Sequence, residues 1–287
     1  MSEEPKILSA EWIKKNGQQV PESKKPKVSV IITTWNGIKF TEQAIASVIA
    51  QTFEDWELWI IDDNSTDNTV EAVTKFMELD SRIHLAISDL PRSDGWRVCR
   101  YAHSINVVFP LTSGQYITYL CNDDLYIPFR LQFMVDFLDK NPEAQICYGK
   151  QLVIDVDDCN FSFVRHMPGV TRQAAGAIDH SSVMHRRECF EKVLGWNEDP
   201  KVRAIGDAAF WYRLNQYWDF HPIDEILDIH RYNKDSVNAE TNQKHKNGEA
   251  HNPLKCQPDC KEGINLAKSL EDLWTRPLEK GFKVIGY

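Results

Sequence analysis

The chain has 287 residues, 42% hydrophobic and 26% charged, so it can bury a substantial core and is neither disordered nor fibrous. Its net charge of −9 argues against a nucleic-acid partner, because a phosphate backbone is bound by an excess of Lys and Arg. A negative protein that holds a negative ligand needs local help from a metal ion, an Arg or a helix N-terminus.

Residues 1–26 are polar and read as an appended arm, with a short helix around 11–15. The folded body begins at Val28, where VSVIITT is the β-branched run expected of a strand buried on both faces. Thr41 is placed to cap a helix with Ala44, Ile45, Val48 and Ile49 on one face. WELWIIDD (56–63) reads as a second strand, and Asp67 as the cap of a helix carrying Val70, Val73, Phe76 and Met77. RIHLAIS (82–88) is a third strand, followed by a helix over 95–109. QYITYLCNDD (115–124) is a fourth strand ending in polar residues, Pro128 opens the next helix, and QICYGKQLVI (145–154) is a further strand.

This alternation specifies an α/β fold, a Rossmann-like and mainly parallel sheet flanked by helices, with ligands at the carboxyl ends of its strands. Beyond residue 160 the rhythm changes. Residues 177–196 begin extended and turn helical, 206–218 form a helix opening with Gly-Asp, and 221–232 read as a pair of strands. The expected organisation is one domain over 27–238, with a nucleotide-binding half (27–125) and a smaller layer built onto it (126–238). A polar tail (239–287) carries a short amphipathic helix over 264–274.

No apolar run approaches the roughly 18–20 residues that span a bilayer. The first residues also lack the apolar centre of a secretion signal. A cytoplasmic protein with reduced thiols is therefore expected, and Cys99, Cys121, Cys147 and Cys189 read as small core residues.

The chemistry lies at the strand ends. Adjacent carboxylates in Asn122-Asp123-Asp124 repel one another unless a cation joins them, and Mg²⁺ or Mn²⁺ is commonly held by one or two carboxylates plus substrate phosphates. Capping of the following helix is the structural alternative. In Asp62-Asp63-Asn64-Ser65, a carboxylate could accept from a pyrimidine N3–H or a ribose hydroxyl, against which stands an Asx turn. Asp207, following Gly206 at a helix start, could act as a general base or as a cap. His245, His251, Cys256 and Cys260 make a poor zinc pattern; His230 could be a further metal ligand, with a strand residue making an ordinary hydrogen bond as the favoured alternative. His180, Trp196 and Trp211 are candidates for an acceptor-side lining, with ordinary core packing as the alternative. Gly-x-Gly-x-x-Gly, P-loop and Gly-x-Ser-x-Gly motifs are absent, which weakens dehydrogenase, kinase and hydrolase readings.

PKVSVIITTWNG, ASVIAQTFEDWELWIIDDNSTDNT and GQYITYLCNDD resemble the family 2 glycosyltransferases of GT-A fold. DDLYIPFRLQFMV, AIDHSSVMHR, AIGDAAFWYRLN and HPIDEILDI are similar to the spore-coat polysaccharide branch of bacilli, so the resemblance covers about three quarters of the chain. It implies transfer of a sugar, with inversion, from a UDP or dTDP donor to a carbohydrate acceptor hydroxyl. It further implies that Thr33 and Trp35 flank the base, that Asp63 reads it, and that Asp123 lies near the sugar or ribose. Asp124 would hold Mn²⁺ or Mg²⁺, and Asp207 would be the base. An Arg between the third strand and the following helix would contact the nucleotide, with Arg97 preferred over Arg92 and Arg100. The family's Asp-x-Asp is here Asn122-Asp123-Asp124. A nucleotidyltransferase, or a nucleotide-sugar-binding scaffold without turnover, are the rival readings.

Overall fold

The computed structural model describes residues 6–8, 25–88, 90–94, 98–155, 162–165, 167–202 and 205–232. Ten strands make one sheet: β1 (Lys6–Leu8), β2 (Val28–Thr34), β3 (Trp56–Asp62), β4 (Ile83–Ser88), β5 (Tyr116–Cys121), β6 (Leu125–Tyr126), β7 (Ile146–Asp155), β8 (Ser162–Val164), β9 (Val183–Arg186) and β10 (Phe220–Tyr232). The α-helices are α1 (Ile38–Ile49), α2 (Thr69–Leu79), α3 (Arg100–Val108), α4 (Arg130–Lys140), α5 (Arg187–Lys192) and α6 (Gly206–Leu214).

The strand order is β1-β4-β3-β2-β5-β9-β7-β10-β6, with β8 pairing β7. From β1 to β5 every pairing is parallel. The short β9 then runs antiparallel between β5 and β7. After β4 the chain crosses back over β2 to lay down β5, so a topological switch point falls between β2 and β5. In open α/β sheets, a crevice for ligands forms at the carboxyl ends beside such a point.

Two apolar clusters cover the two faces. Ala44, Ile45 and Val48 of α1, Val73 of α2 and Leu131, Met134 and Leu138 of α4 pack on one face. Ala102 and Ile105 of α3, Phe190 of α5 and Phe210, Trp211 and Leu214 of α6 pack on the other. The nearly continuous burial of β2, broken only at Thr33, follows from having helices on both sides. The later part of the chain thus adds strands to the same sheet and the helices α5 and α6 to one face.

Several local expectations are corrected. Helix α1 begins at Ile38, so Thr41 lies inside it, and the Thr41 hydroxyl meets Thr34 Oγ1 at 2.8 Å. Asp67 precedes the Asn68 cap position of α2, although its Oδ1 accepts from the Thr69 N–H at 3.1 Å and its Oδ2 from the Ile38 N–H at 3.3 Å. Helix α3 starts at Arg100, not near 95, and the preceding Cys99 N–H donates to Glu198 O at 2.7 Å. Residues 221–232 form one long strand. Its register against β7 shifts between Ile223 and Asp228, so the polar pair Asp224-Glu225 is absorbed in an irregularity. Lys150 pairs with Asp224 there. The helices expected at 11–15 and 264–274 and the residues His245, His251, Cys256 and Cys260 lie outside the described residues.

Candidate functional site

In the parallel register Thr34 aligns with Asp62 on β3, and Thr33 aligns with Ile61 on β3 and Cys121 on β5. The segments leaving β2, β3 and β5 therefore emerge side by side at the carboxyl edge. The first two are cross-linked. Asn36 N–H donates to Ser65 Oγ at 2.9 Å, and Thr66 N–H donates to Asn36 Oδ1 at 2.7 Å. Asn36 and Asn64 both adopt positive φ, 48° and 56°, a conformation that Asn tolerates better than most residues. Gly37 has its own reason. A Cβ there would lie 2.3 Å from Asn122 Nδ2, so the absence of a side chain lets the first segment close on the third.

The second segment carries two acids with different surroundings. Asp62 is buried, and burial raises its carboxyl pKa above the usual range while Ser65 N–H donates to its Oδ2 at 2.8 Å. Asp63 faces two guanidinium groups. Arg92 Nη1 donates to its Oδ2 at 2.7 Å, Arg100 Nε donates to the same oxygen at 2.6 Å, and Arg100 Nη2 bonds Oδ1. Arg92 also lies over the Trp35 ring, 3.8 Å from its centroid. Trp35 is 51% exposed. Trp35, Arg92, Asp63 and Arg100 thus form one cluster. Arg97, preferred from the sequence, lies outside the described residues, and the arginines observed at Asp63 are Arg92 and Arg100.

The third segment carries Asn122, Asp123 and Asp124. Asp124 is fully buried and clamped from two sides. Ser181 Oγ donates to Oδ2 at 2.9 Å, Arg231 N–H donates to Oδ1 at 3.1 Å, and His230 Nδ1 lies 3.0 Å from Oδ1. Burial works against a charged His230, but the Asp124 charge and hydrogen bond outweigh it and raise the imidazole pKa. Arg231 Nε further bonds the Asp123 carbonyl, and its Nη1 bonds Gln43 Oε1 on α1. Among the described residues no side chain donates to the Asp123 carboxylate. Burial, with the neighbouring Asp124 charge next, pushes its carboxyl up to about 6. Cys121, Asp123 and Asp124 each offer a ligand atom within 4.8 Å of the others. A fully buried carboxylate beside a half-buried one is donor chemistry that suits a divalent cation, so these residues fit one.

Asp207 lies in the first turn of α6, half-buried, where its Oδ1 accepts from the Ala208 N–H at 2.7 Å. Gly206 lets α6 approach α3, since a Cβ would lie 1.9 Å from the Tyr101 hydroxyl oxygen. Burial raises the Tyr101 pKa, and the charges of Cys99 and Asp207 add to it, so Asp207 and the Tyr101 phenol are neighbours. Trp196 and Trp211 are core residues: Trp196 stacks on Phe210 at 4.7 Å between centroids, and Trp211 Nε1 donates to Ile178 O at 2.9 Å. Neither lines a surface. His180 is half-buried beside Cys121.

Sequence reasoning missed Ser181 and Arg231, which reach Asp124 from 57 and 107 residues away. No local pattern marks a contact made through sheet order. The DHSS segment drew notice for His180 and the HRY strand end for His230, but neither pattern marked Ser181 or Arg231 as a partner of Asp124.

Residues 29–190 match the model of the glycosyl transferase family 2. The chain is 41% identical over 210 residues to Protein CgeD of Bacillus subtilis (strain 168), covering 70% of this chain and 49% of that one. It is 28% identical over 194 residues to the putative glycosyltransferase EpsE of the same organism, covering 66% of each. The chain therefore spans about half of CgeD and just under two thirds of EpsE. Among solved structures, Staphylococcus aureus TarS 1–349 in complex with UDP-GlcNAc aligns with a TM-score of 0.57 at 20% identity, over 73% of this chain and 60% of that one. The mannosyltransferase PcManGT from Pyrobaculum calidifontis, in complex with GDP-Man and Mn²⁺, aligns with a TM-score of 0.55 at 16% identity, over 94% and 78%. The fold is GT-A-like, and the chain belongs to the glycosyl transferase family 2. Among the described residues no helix is long and apolar enough to cross a membrane.

Proposed function

We propose that this family 2 glycosyltransferase moves a sugar from a uridine or thymidine diphosphate donor to a carbohydrate acceptor hydroxyl by a single in-line displacement with inversion. The observation that carries this reading is the convergence of three strand ends. They bring an exposed Trp35, an arginine-held Asp63 and the carboxylate pair of half-buried Asp123 and fully buried Asp124 to one sheet edge. A structural neighbour's UDP-GlcNAc complex supports the uridine donor, and another's Mn²⁺ supports a divalent ion.

Trp35 offers a ring face to the base, with Thr33 beneath it on β2. Asp63, already accepting from Arg92 and Arg100, keeps acceptor capacity for a pyrimidine N3–H. The same guanidinium groups add positive charge where the nucleotide binds. Arg97 remains a further candidate for a nucleotide contact. Asp124 is the residue held most firmly, and its clamp by Ser181, His230 and Arg231 fixes its direction. Asp123, with its open carboxylate, lies beside it toward the sugar. A divalent cation at this pair, Mn²⁺ or Mg²⁺, supplies neutralisation of the charge that develops on the departing diphosphate. Asp207 takes the proton from the attacking acceptor hydroxyl. Its place in the first turn of α6 sets the carboxylate at the end of the helix whose dipole favours negative charge. A surface or spore-coat glycan is the acceptor class of this reading.

The test is release of UDP from a panel of UDP-sugars with and without oligosaccharide acceptors. Asp207→Asn is expected to keep donor binding and lose acceptor-dependent release by at least about a hundredfold. Donor binding without turnover on any acceptor would instead favour a nucleotide-sugar-binding scaffold.

A further inference from the structure

Cys121 ends β5 directly before the Asn122-Asp123-Asp124 segment. Its sulfur does not point into the apolar core that holds Cys99, Cys147 and Cys189. It lies within 4.8 Å of a carboxylate oxygen of both Asp123 and Asp124, and 3.3 Å from His180 Nε2. A sulfur and two carboxylates gathered around one point, with the His180 imidazole beside the sulfur, are ligands for a borderline-soft ion. Metal–sulfur bonds near 2.3 Å and metal–oxygen bonds near 2.0–2.2 Å fit such separations after a small contraction. Hard Mg²⁺ and Mn²⁺ gain little from a thiolate, whereas Zn²⁺ and Co²⁺ gain much.

We propose that Cys121 is a ligand of the divalent-cation site, and that its thiolate, beside Asp123 and Asp124, makes this site favour thiophilic ions such as Zn²⁺ and Co²⁺ over Mg²⁺. The inference rests on the metal-site reading above and deepens it. On binding, the Cys121 S–H bond breaks and a sulfur–metal bond forms. The proton passes to His180 Nε2, within reach of the sulfur, and on to solvent. No electron moves and no co-reactant is needed. The His180 ring is steadied against Trp196 at 5.9 Å and Tyr119 at 6.4 Å between centroids, so the proton acceptor is built in place.

The experiment is a Co²⁺ titration of the full chain in a Cys256→Ser/Cys260→Ser background, which removes the tail thiols as competitors. It is followed by the thiolate-to-cobalt charge-transfer absorption and by proton release. One equivalent of Co²⁺ is expected to produce the band and release about one proton. Excess Mn²⁺ should bleach the band, placing both ions in one site. Adding Cys121→Ser should abolish the band and lower the ratio of Co²⁺ to Mn²⁺ affinity by about tenfold. Cobalt binding without a sulfur band, or a band that survives Cys121→Ser, overturns the proposal. UDP binding measured with Mn²⁺ on the same samples separates this failure from failure of the donor site itself.

Discussion

Nδ1 of His230, near the end of β10, lies 3.0 Å from Oδ1 of Asp124, 106 residues earlier in the segment between β5 and β6. Strands β10 and β5 are not neighbours in the sheet. The contact exists because the short β6 folds back to pair antiparallel with β10, matching Ile229 with Leu125. The buried carboxylate of the third segment is therefore set by the last strand of the sheet, and the crevice is assembled from both halves of the chain.

Arg100 and Arg92 should differ in their effect. Arg100 is the more buried, with 13% of its side chain exposed against 35% for Arg92, and it engages both oxygens of Asp63. A lysine cannot reproduce that fork. Arg100→Lys is expected to weaken UDP binding by about tenfold and Arg92→Lys by about threefold or less, read by calorimetry. Equal losses would show that the paired geometry at Asp63 has no part in nucleotide binding.

Gly206→Ala places a Cβ against the Tyr101 hydroxyl, an overpacking that costs about 2 kcal/mol in urea unfolding. The approach is made by the phenolic oxygen, so Tyr101→Phe in the same chain should recover part of the loss. A Gly206→Ala chain as stable as the wild type would mean that α6 does not sit this close to α3.

A buried histidine sets a pH dependence. His185 is fully buried, and burial lowers its pKa to about 4. Its Nδ1 is 2.8 Å from Arg186 O and its Nε2 is 2.9 Å from the Tyr119 hydroxyl, which fits a neutral ring donating from Nδ1 and accepting at Nε2. An imidazole pKa that is lower folded than unfolded contributes stability above the unfolded value near 6.5. That contribution falls away as pH drops from there toward 4, by about 3 kcal/mol in total. Urea unfolding between pH 7.5 and 4.5 should show this loss. His185→Gln should be less stable at pH 7.5 but have a shallower slope, and an unchanged slope would contradict the buried neutral ring.

The sequence exposed the parallel half of the sheet well, because β2, β3 and β5 are continuous β-branched or aromatic runs ending in polar pairs. It also brought out Asp63, Asp123, Asp124 and Asp207, since acids at strand and helix ends stand out against apolar neighbours. The length of β10 was hidden, because Asp224-Glu225 looks like a turn and only the register against β7 turns it into a local irregularity. The arginine partner was hidden for a similar reason. Residues 92, 97 and 100 are spaced too closely for sequence alone to assign one to Asp63, and the late start of α3 decides which ones reach it. The clamp on Asp124 had no sequence signature, since Ser181 and Arg231 arrive through strand order.

The central claim, that Asp124 and its neighbours hold a nucleoside diphosphate through a divalent ion, is tested most directly by calorimetric titration of UDP with Mn²⁺. The titration is repeated with EDTA and on Asp124→Ala. The account predicts binding by the wild-type chain that disappears with EDTA and falls by more than about a hundredfold in the variant. Binding that is the same with EDTA, or undiminished in Asp124→Ala, would contradict it.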